Sequence, residues 1–289
     1  MGRFAPSPTG PLHIGSLYTA LASYLDARQH NGRWLLRIDD LDTPRNIPGS
    51  VSAILSCLQA FGLQWDGEIY YQSRRLEAYR QALDYLRAAD LVYACACSRG
   101  QLNLLSAAVY PGYCRDKRLA SFGNALRVKT GPLEIGCRDA LQGAISENLA
   151  ARRGDFIIKR KDGVIAYQLA VVVDDHAQQV SRVVRGGDLL DSTPKQLYLQ
   201  NLLDYPHPEY MHVPVIVDAN GEKLSKQTRA AAADYRAPGP VLFQLLVLLR
   251  QNPPPQLHSA PVAEQLEWAV ANWRPQNLKK LSTIPEIDA

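Results

Sequence analysis

His13 lies between Gly10 and Gly15 in the stretch Arg3-Phe4-Ala5-Pro6-Ser7-Pro8-Thr9-Gly10-Pro11-Leu12-His13-Ile14-Gly15-Ser16. A short apolar start leads into this turn, and a helical pattern leads out of it. Backbone N–H groups and the positive end of a helix dipole would meet there, which suits a phosphate. Glycine allows the close approach, because no Cβ stands in the way. Taken alone, one such turn also reads as an ordinary strand-to-helix connection. Far downstream, Lys223-Leu224-Ser225-Lys226-Gln227 follows a turn. By itself this Lys-rich loop reads as solvated.

Other groups could serve an amino-acid substrate or a metal. Asp39 opens the acidic loop Asp39-Asp40-Leu41-Asp42 at the carboxyl end of an apolar run, where open α/β sheets bind ligands. Helix capping is the plainer role for such a loop. The run from Tyr167 to Val173 turns abruptly into Asp174-Asp175-His176, which alone reads as a core strand ending in a solvated turn. Arg185 precedes a Gly-Gly turn. Cys95-Ala96-Cys97 and Cys114 put three thiols in one short segment, enough for a zinc site if a fourth ligand exists. No histidine lies in the interval. Tyr110 and Tyr113 are the oxygen donors available, and three free cysteines are the alternative.

These groups need elements to position them. Leu17, Ala20, Leu21, Tyr24 and Leu25 recur at helical spacing over Ser16 to Arg28, with Ser16 as the expected N-cap. Trp34 to Ile38 reads as a buried strand, so the chain opens with a parallel βαβ unit. Helices are expected over Ile47 to Phe61, with Cys57 in the core, and over Arg74 to Ala89, with Leu76, Tyr79, Leu83 and Leu86 on one face. Leu91 to Ala94 reads as a strand delivering Cys95. Short strands are expected at Ala125 to Val128, Phe156 to Ile158 and Val213 to Val217, the first two without an assignable pairing. Cys137 reads as a small apolar filler. A helix starts at Ser192-Thr193-Pro194 and runs to about Leu203. After Tyr235 the chain reads as helical, over Pro240 to Arg250 and Pro261 to Trp273.

The bulk numbers set limits. The chain has 289 residues, 46% hydrophobic and 21% charged, and reads as globular. No run is long and apolar enough to span a bilayer. The start lacks the pattern of a signal peptide, so the cytoplasm is expected. A net charge of +4 permits nucleic-acid binding without arguing for it. Five cysteines do not suit a full disulfide framework.

The first stretch resembles the "HIGH" signature of class I aminoacyl-tRNA synthetases, and Arg3-Phe4-Ala5-Pro6-Ser7 resembles the glutamyl/glutaminyl branch. Lys223 to Gln227 resembles the "KMSKS" loop. Both signatures in this order are far more specific than either alone. The resemblance implies an α/β fold: a Rossmann-type parallel sheet with a zinc-bearing insert and a C-terminal helical stem-contact region. The expected parts are residues 1–94 and 119–205 for the halves of the catalytic domain, 95–118 for the insert, and 206–289 for the loop and helices, with no anticodon-binding domain.

The resemblance also implies roles. His13, Gly15, Lys223 and Lys226 would hold ATP, with His13 and Lys226 catalytic. Arg3, Phe4, Ala5, Pro6, Ser7, Asp39, Tyr167 and Arg185 would hold glutamate. Asp39 stands where the family has Glu, Val171 where it has Asn, and Leu189 where full-length enzymes usually have Trp. The short glutamyl-queuosine tRNA(Asp) synthetases carry Cys-x-Cys followed by Tyr-x-x-x-Cys as a zinc site, which selects Tyr110 with Cys95, Cys97 and Cys114. The missing anticodon region, this insert, Val171 and Lys-Leu-Ser-Lys-Gln favour that short family. It implies ATP- and Mg²⁺-dependent activation of glutamate, one structural Zn²⁺, and transfer to queuosine in tRNA(Asp) by a monomer. The alternatives are a truncated glutamyl-tRNA synthetase charging tRNA(Glu), and an inactive paralogue that binds tRNA or ATP.

Overall fold

The computed structural model describes residues 1–104, 109–223 and 236–286. The expected βαβ start is present. Strand β1 (Gly2–Phe4), helix α1 (Ile14–Gln29) and strand β2 (Trp34–Ile38) are followed by helix α2 (Ser50–Ala60) and strand β3 (Tyr70–Tyr71). β1 pairs parallel with β2, and β2 pairs parallel with β3. All five residues of β2 are buried, Arg37 included. A strand covered on both faces is expected to be apolar throughout, so a charge inside it must find a partner.

Helix α3 (Leu76–Ala88) buries Tyr79, Ala82, Leu83 and Leu86, whereas Leu76, expected on that face, is 53% exposed. Strand β4 (Val92–Cys95) and the short helix α4 (Arg99–Leu104) come next. Strand β5 (Ala125–Val128) pairs antiparallel with β4 and with β8 (Ile157–Lys159), which supplies the pairing that spacing left open. Between them, β6 (Glu134–Asp139) and β7 (Gly143–Asn148) form a hairpin followed by the single turn α5 (Leu149–Arg152). Cys57 is buried on α2, and Cys137 is half-buried on β6.

The segment from Tyr167 is a helix, α6 (Tyr167–Ala177), and not a strand with a solvated turn. Leu169 to Asp175 are all buried, so no amphipathic period marks it, and the run Val171-Val172-Val173 favours a strand reading. Strand β9 (Arg182–Gly186) and helix α7 (Thr193–Leu202) follow. The strand expected over Val213 to Val217 is broken at Pro214 into the ends of β10 (Glu209–Val213) and β11 (Val215–Val217). β10 pairs parallel with β9. Helices α8 (Pro238–Leu248) and α9 (Val262–Asn272) then pack on α1. The tail is not wholly helical: β12 (Thr283–Pro285) returns to pair parallel with β11.

Two cores result. One joins α1, β1 and β2 to α2, α8 and α9 around Trp34, Phe61 and Trp273. The other joins α3, α6 and α7 to β4, β5 and β8 around Tyr79, Leu126 and Leu169. No described helix is long and apolar enough to cross a membrane.

Candidate active site

A cavity of about 610 Å³ opens at the carboxyl ends of β1, β2 and β9. Its wall includes Arg3, Phe4, Ala5, Pro6, Ser7, His13, Gly15, Asp39, Tyr167, Arg185 and Lys223. These expected site residues, spread from position 3 to position 223, therefore meet around one space. Lys226 lies outside the described residues.

The loop between β1 and α1 is tied to the loop after β2. Asp39 N–H donates to Pro6 O at 3.0 Å, and Ile47 N–H to Pro8 O at 2.9 Å. Gly10 has φ 125°, a conformation open to glycine and strained for other residues. The N-cap of α1 is His13 and not Ser16. The helix begins three residues earlier than the apolar pattern suggests. His13 Nδ1 accepts from Ser16 N–H at 3.3 Å, and Nε2 lies 2.9 Å from Ser16 Oγ. The imidazole thus sits over the positive end of α1, with Gly15 and Ser16 facing the cavity.

On the other side stands a buried charge network. Asp175, on α6, accepts from Arg3 Nε at 3.2 Å and Arg3 Nη2 at 3.3 Å. Its Oδ1 also accepts from Arg37 Nη1 at 2.6 Å. Arg37 Nε donates to Asp39 at 2.8 Å. Neighbouring Asp174 turns the other way and accepts from Tyr79 Oη at 2.7 Å, Gln72 at 2.9 Å and Arg75 at 3.2 Å. Burial raises the Asp175 carboxyl, but Arg3 and Arg37 outweigh it and bring it below the usual range. Asp39 behaves differently. Burial pushes it up to about 6 against the pull of Arg37, helped by the nearby charges of Asp174 and Asp175.

Arg185 forms the third wall. Tyr167 Oη accepts from its Nη1 at 3.3 Å, and Lys223 reaches Asp188 across the mouth at 2.5 Å. Val171 and Leu189 line the cavity with apolar side chains where the resemblance leads one to expect Asn and Trp. Spacing alone missed Arg37, Asp175 and the groups behind Arg185. The signal that could have found the first two was a charge inside a wholly apolar strand and an acid pair ending an apolar run.

A separate cluster joins the insert. The sulfurs of Cys95, Cys97 and Cys114 lie within 4.8 Å of one another. Tyr110 Oη is 3.2 Å from Cys95 Sγ and 3.7 Å from Cys97 Sγ, and it accepts from Cys114 N–H at 3.2 Å. Tyr113, the other available phenol, is 45% exposed and packs edge-on outside. Gly154, with φ 65°, lets Tyr110 in: a Cβ there would stand 2.1 Å from the Tyr110 carbonyl oxygen. Arg127 stacks on the Tyr110 ring at 3.7 Å and donates to Cys95 Sγ at 3.2 Å. Burial raises the Cys95 thiol, yet bonds from Tyr110 and Arg127 bring it down to about 7. Three sulfurs and one phenol oxygen around one point, beside a cation that favours thiolate, fit a four-coordinate zinc ion. Asp155 ties the insert down by accepting from Tyr93 Oη at 2.6 Å and from Arg115 Nε and Nη2 at 2.6 and 2.5 Å.

The chain as a whole is similar to known proteins. The family model for the catalytic domain of class I tRNA synthetases (E and Q) matches residues 1–251. A glutamyl-Q tRNA(Asp) synthetase of Pseudomonas putida is 48% identical over 288 residues, which is 100% of this chain and 97% of that protein. One from Thiobacillus denitrificans is 51% identical over 284 residues, covering 96% of this chain and 94% of its own length. Among solved structures, a glutamate tRNA ligase of Elizabethkingia meningosepticum, in complex with its amino acid, shares the fold. It has a TM-score of 0.81 at 24% identity, over 99% of this chain and 66% of that one. The glutamate-tRNA synthetase of Elizabethkingia anophelis gives a TM-score of 0.80 at 25% identity, over 98% of this chain and 67% of that one.

Proposed function

We propose how this site works from one premise: the chain belongs to the glutamyl-Q tRNA(Asp) synthetases, within the class I glutamyl and glutaminyl tRNA synthetase family. It activates glutamate with ATP and passes the glutamyl group to the queuosine base of tRNA(Asp). In the first step a carboxylate oxygen of glutamate attacks the α-phosphorus of ATP. The new bond is O–P, and pyrophosphate leaves with the electron pair of the broken P–O bond. Negative charge spreads over phosphate oxygens, so positioning and positive groups do the catalysis. His13 and the start of α1 receive the phosphates. Lys223 guards the mouth, and Lys226 neutralises pyrophosphate as it departs, a contribution worth about 10²–10³-fold in rate. Mg²⁺ arriving with ATP shares that charge.

Glutamate brings one ammonium and two carboxylates. Arg185 and Arg3 offer planar forks suited to a carboxylate. Asp39 is ionised above about pH 6 and accepts from the ammonium. Tyr167 supplies a hydrogen-bonding wall, and Ser7 a further contact at the exposed lip. In the second step a hydroxyl of the queuosine cyclopentene-diol, at the first anticodon position, attacks the glutamyl carbonyl and AMP leaves. Cys95, Cys97, Cys114 and Tyr110 would hold one zinc ion, which would supply a cross-link within residues 95–118 and no chemistry in the cavity.

The observation that carries this reading is the single cavity walled by Asp39, Arg185, Tyr167 and the His13 helix start. The test incubates the protein with ATP, labelled glutamate and tRNA(Asp) with or without queuosine. Label is expected only on queuosine-bearing tRNA(Asp), and it should survive removal of the 3′ end. Label on the 3′ end or on tRNA(Glu) would contradict the reading. ATP binding with no label anywhere would point to an inactive paralogue.

A further inference from the structure

Behind Arg185 lies a second buried polar chain that the mechanism above does not use. Asp139 ends β6, and His212 lies on β10; both side chains are fully buried. Asp139 Oδ1 accepts from the backbone N–H of Leu141 at 2.9 Å and of Gln142 at 2.8 Å. Its Oδ2 accepts from His212 N–H at 3.1 Å and faces His212 Nδ1 at 2.7 Å. A carboxylate held by that many donors is ionised and can only accept. His212 must therefore carry its proton on Nδ1, which leaves a lone pair on Nε2. Arg185 Nε lies 3.0 Å from that Nε2 and donates to it. Thr193 Oγ1 lies 3.1 Å from the same Nε2 and can donate its hydroxyl hydrogen to it. The other tautomer would face the Asp139 carboxylate with a bare Nδ1 lone pair at 2.7 Å and set its Nε2–H against the Arg185 Nε–H.

The rest of the guanidinium is held unevenly. Nη1 donates to Gln196 Oε1 at 2.7 Å, and Nη2 donates to Thr193 Oγ1 at 2.9 Å. The second hydrogen of each nitrogen makes only a long contact, Nη1 to Tyr167 Oη at 3.3 Å and Nη2 to Leu189 O at 3.5 Å. Tyr167 and Leu189 line the cavity, whereas His212, Thr193 and Gln196 do not. The short bonds grip the guanidinium from behind, and the long ones are those a carboxylate can replace.

We propose that Asp139 and His212 are positioning residues for Arg185, fixing its fork so that one N–H of each terminal nitrogen faces the substrate carboxylate. This inference rests on the assignment of Arg185 to the glutamate pocket. Burial keeps His212 below its ordinary basicity, and Arg185 acts in the same direction against Asp139. Burial raises Asp139, but the bonds from His212, Gln142 and Leu141 outweigh it and hold it low. Both protonation states are those the geometry requires.

The test measures glutamate-dependent ATP–pyrophosphate exchange for Asp139→Asn, Arg185→Lys and the double variant. An amide at position 139 can donate to Nδ1, which frees the wrong tautomer while keeping the shape. Asp139→Asn is expected to raise the KM for glutamate by about 10–100-fold, the scale seen when a group that orients a metal ligand is lost, with the KM for ATP unchanged. In the Arg185→Lys background the same change should add little, because its target is gone. An equal rise in both KM values, or a full additive effect on Arg185→Lys, would reduce the pair to a structural role and overturn the proposal. If Asp139→Asn does not fold, His212→Gln and His212→Leu give the same contrast. Gln can accept from Arg185 and should retain glutamate affinity, Leu should lose it, and equal affinities would overturn the relay. If Arg185→Lys alone leaves the KM for glutamate unchanged, the pocket assignment fails, and this inference fails with it.

Discussion

The catalytic cavity and the thiol cluster both depend on buried polar groups held in fixed geometry, but they are assembled at different chain distances. Cys97 and Cys114 are 17 residues apart, and Cys95 and Tyr110 are 15 apart. Arg3 and Asp175 are 172 apart, and Arg37 and Asp175 are 138 apart. The thiol cluster is a local device, closed by one short segment and tied down by Asp155. The cavity exists only because two parallel strand groups and α6 come together. In a local device the loss of one ligand is expected to act mainly on its own segment. In the cavity, binding groups and fold-holding groups are the same charges.

The comparison breaks most readily at Asp175. Its carboxylate serves two buried guanidinium groups, Arg3 and Arg37. Removing one member of a buried ion pair leaves an uncompensated charge and typically costs about 3–5 kcal/mol. Asp175→Ala should lose at least that much in denaturant unfolding, along with glutamate activation. A variant as stable as the parent would mean that the network does not hold the fold. At the thiol cluster the effect should stay local. Cys114→Ala, or exhaustive chelation, should take zinc from about one ion per chain to a small fraction of that, with glutamate activation kept within about threefold. Metal analysis and exchange rates on the same samples check this. Loss of activation in step with zinc would join the two regions that the structure separates.

The same contrast explains what the sequence made legible. Cys-x-Cys and a later Cys declare themselves because their spacing is short; the residues alone leave Tyr110 and Tyr113 both open, and the family resemblance is what points to Tyr110. The opening βαβ unit is legible because Trp34 to Ile38 is apolar and the α1 pattern is periodic. Arg37 carries no mark of its partner: any carboxylate brought near by the fold would have done, and topology chose Asp175. The relay of Asp139 and His212 is hidden for the same reason, since the two meet across a hairpin and a strand 73 residues apart. Helix α6 resembles a strand in sequence because burial on every side erases its periodicity and three valines in a row favour strands. The N-cap is not legible because His13 is a less usual capping residue than Ser16.

The sharpest test lies at Asp39. Asp39 titrates near pH 6 in the free protein, above the ordinary carboxylate value, because burial favours its neutral form. Protonation removes the charge that would meet the glutamate ammonium, so affinity should fall as pH drops. The carboxylates of glutamate itself stay ionised above about pH 5 and do not confuse the reading. The decisive measurement is kcat/KM for glutamate in ATP–pyrophosphate exchange without tRNA, from pH 5 to 8, for the parent chain and Asp39→Asn. The parent should lose about tenfold per pH unit below about 6, as kcat/KM reports a required base in the free enzyme. Asp39→Asn should be uniformly poor and lack that inflection. The same inflection in both proteins, or no glutamate-dependent exchange in the parent, would contradict the assignment of this cavity to glutamate.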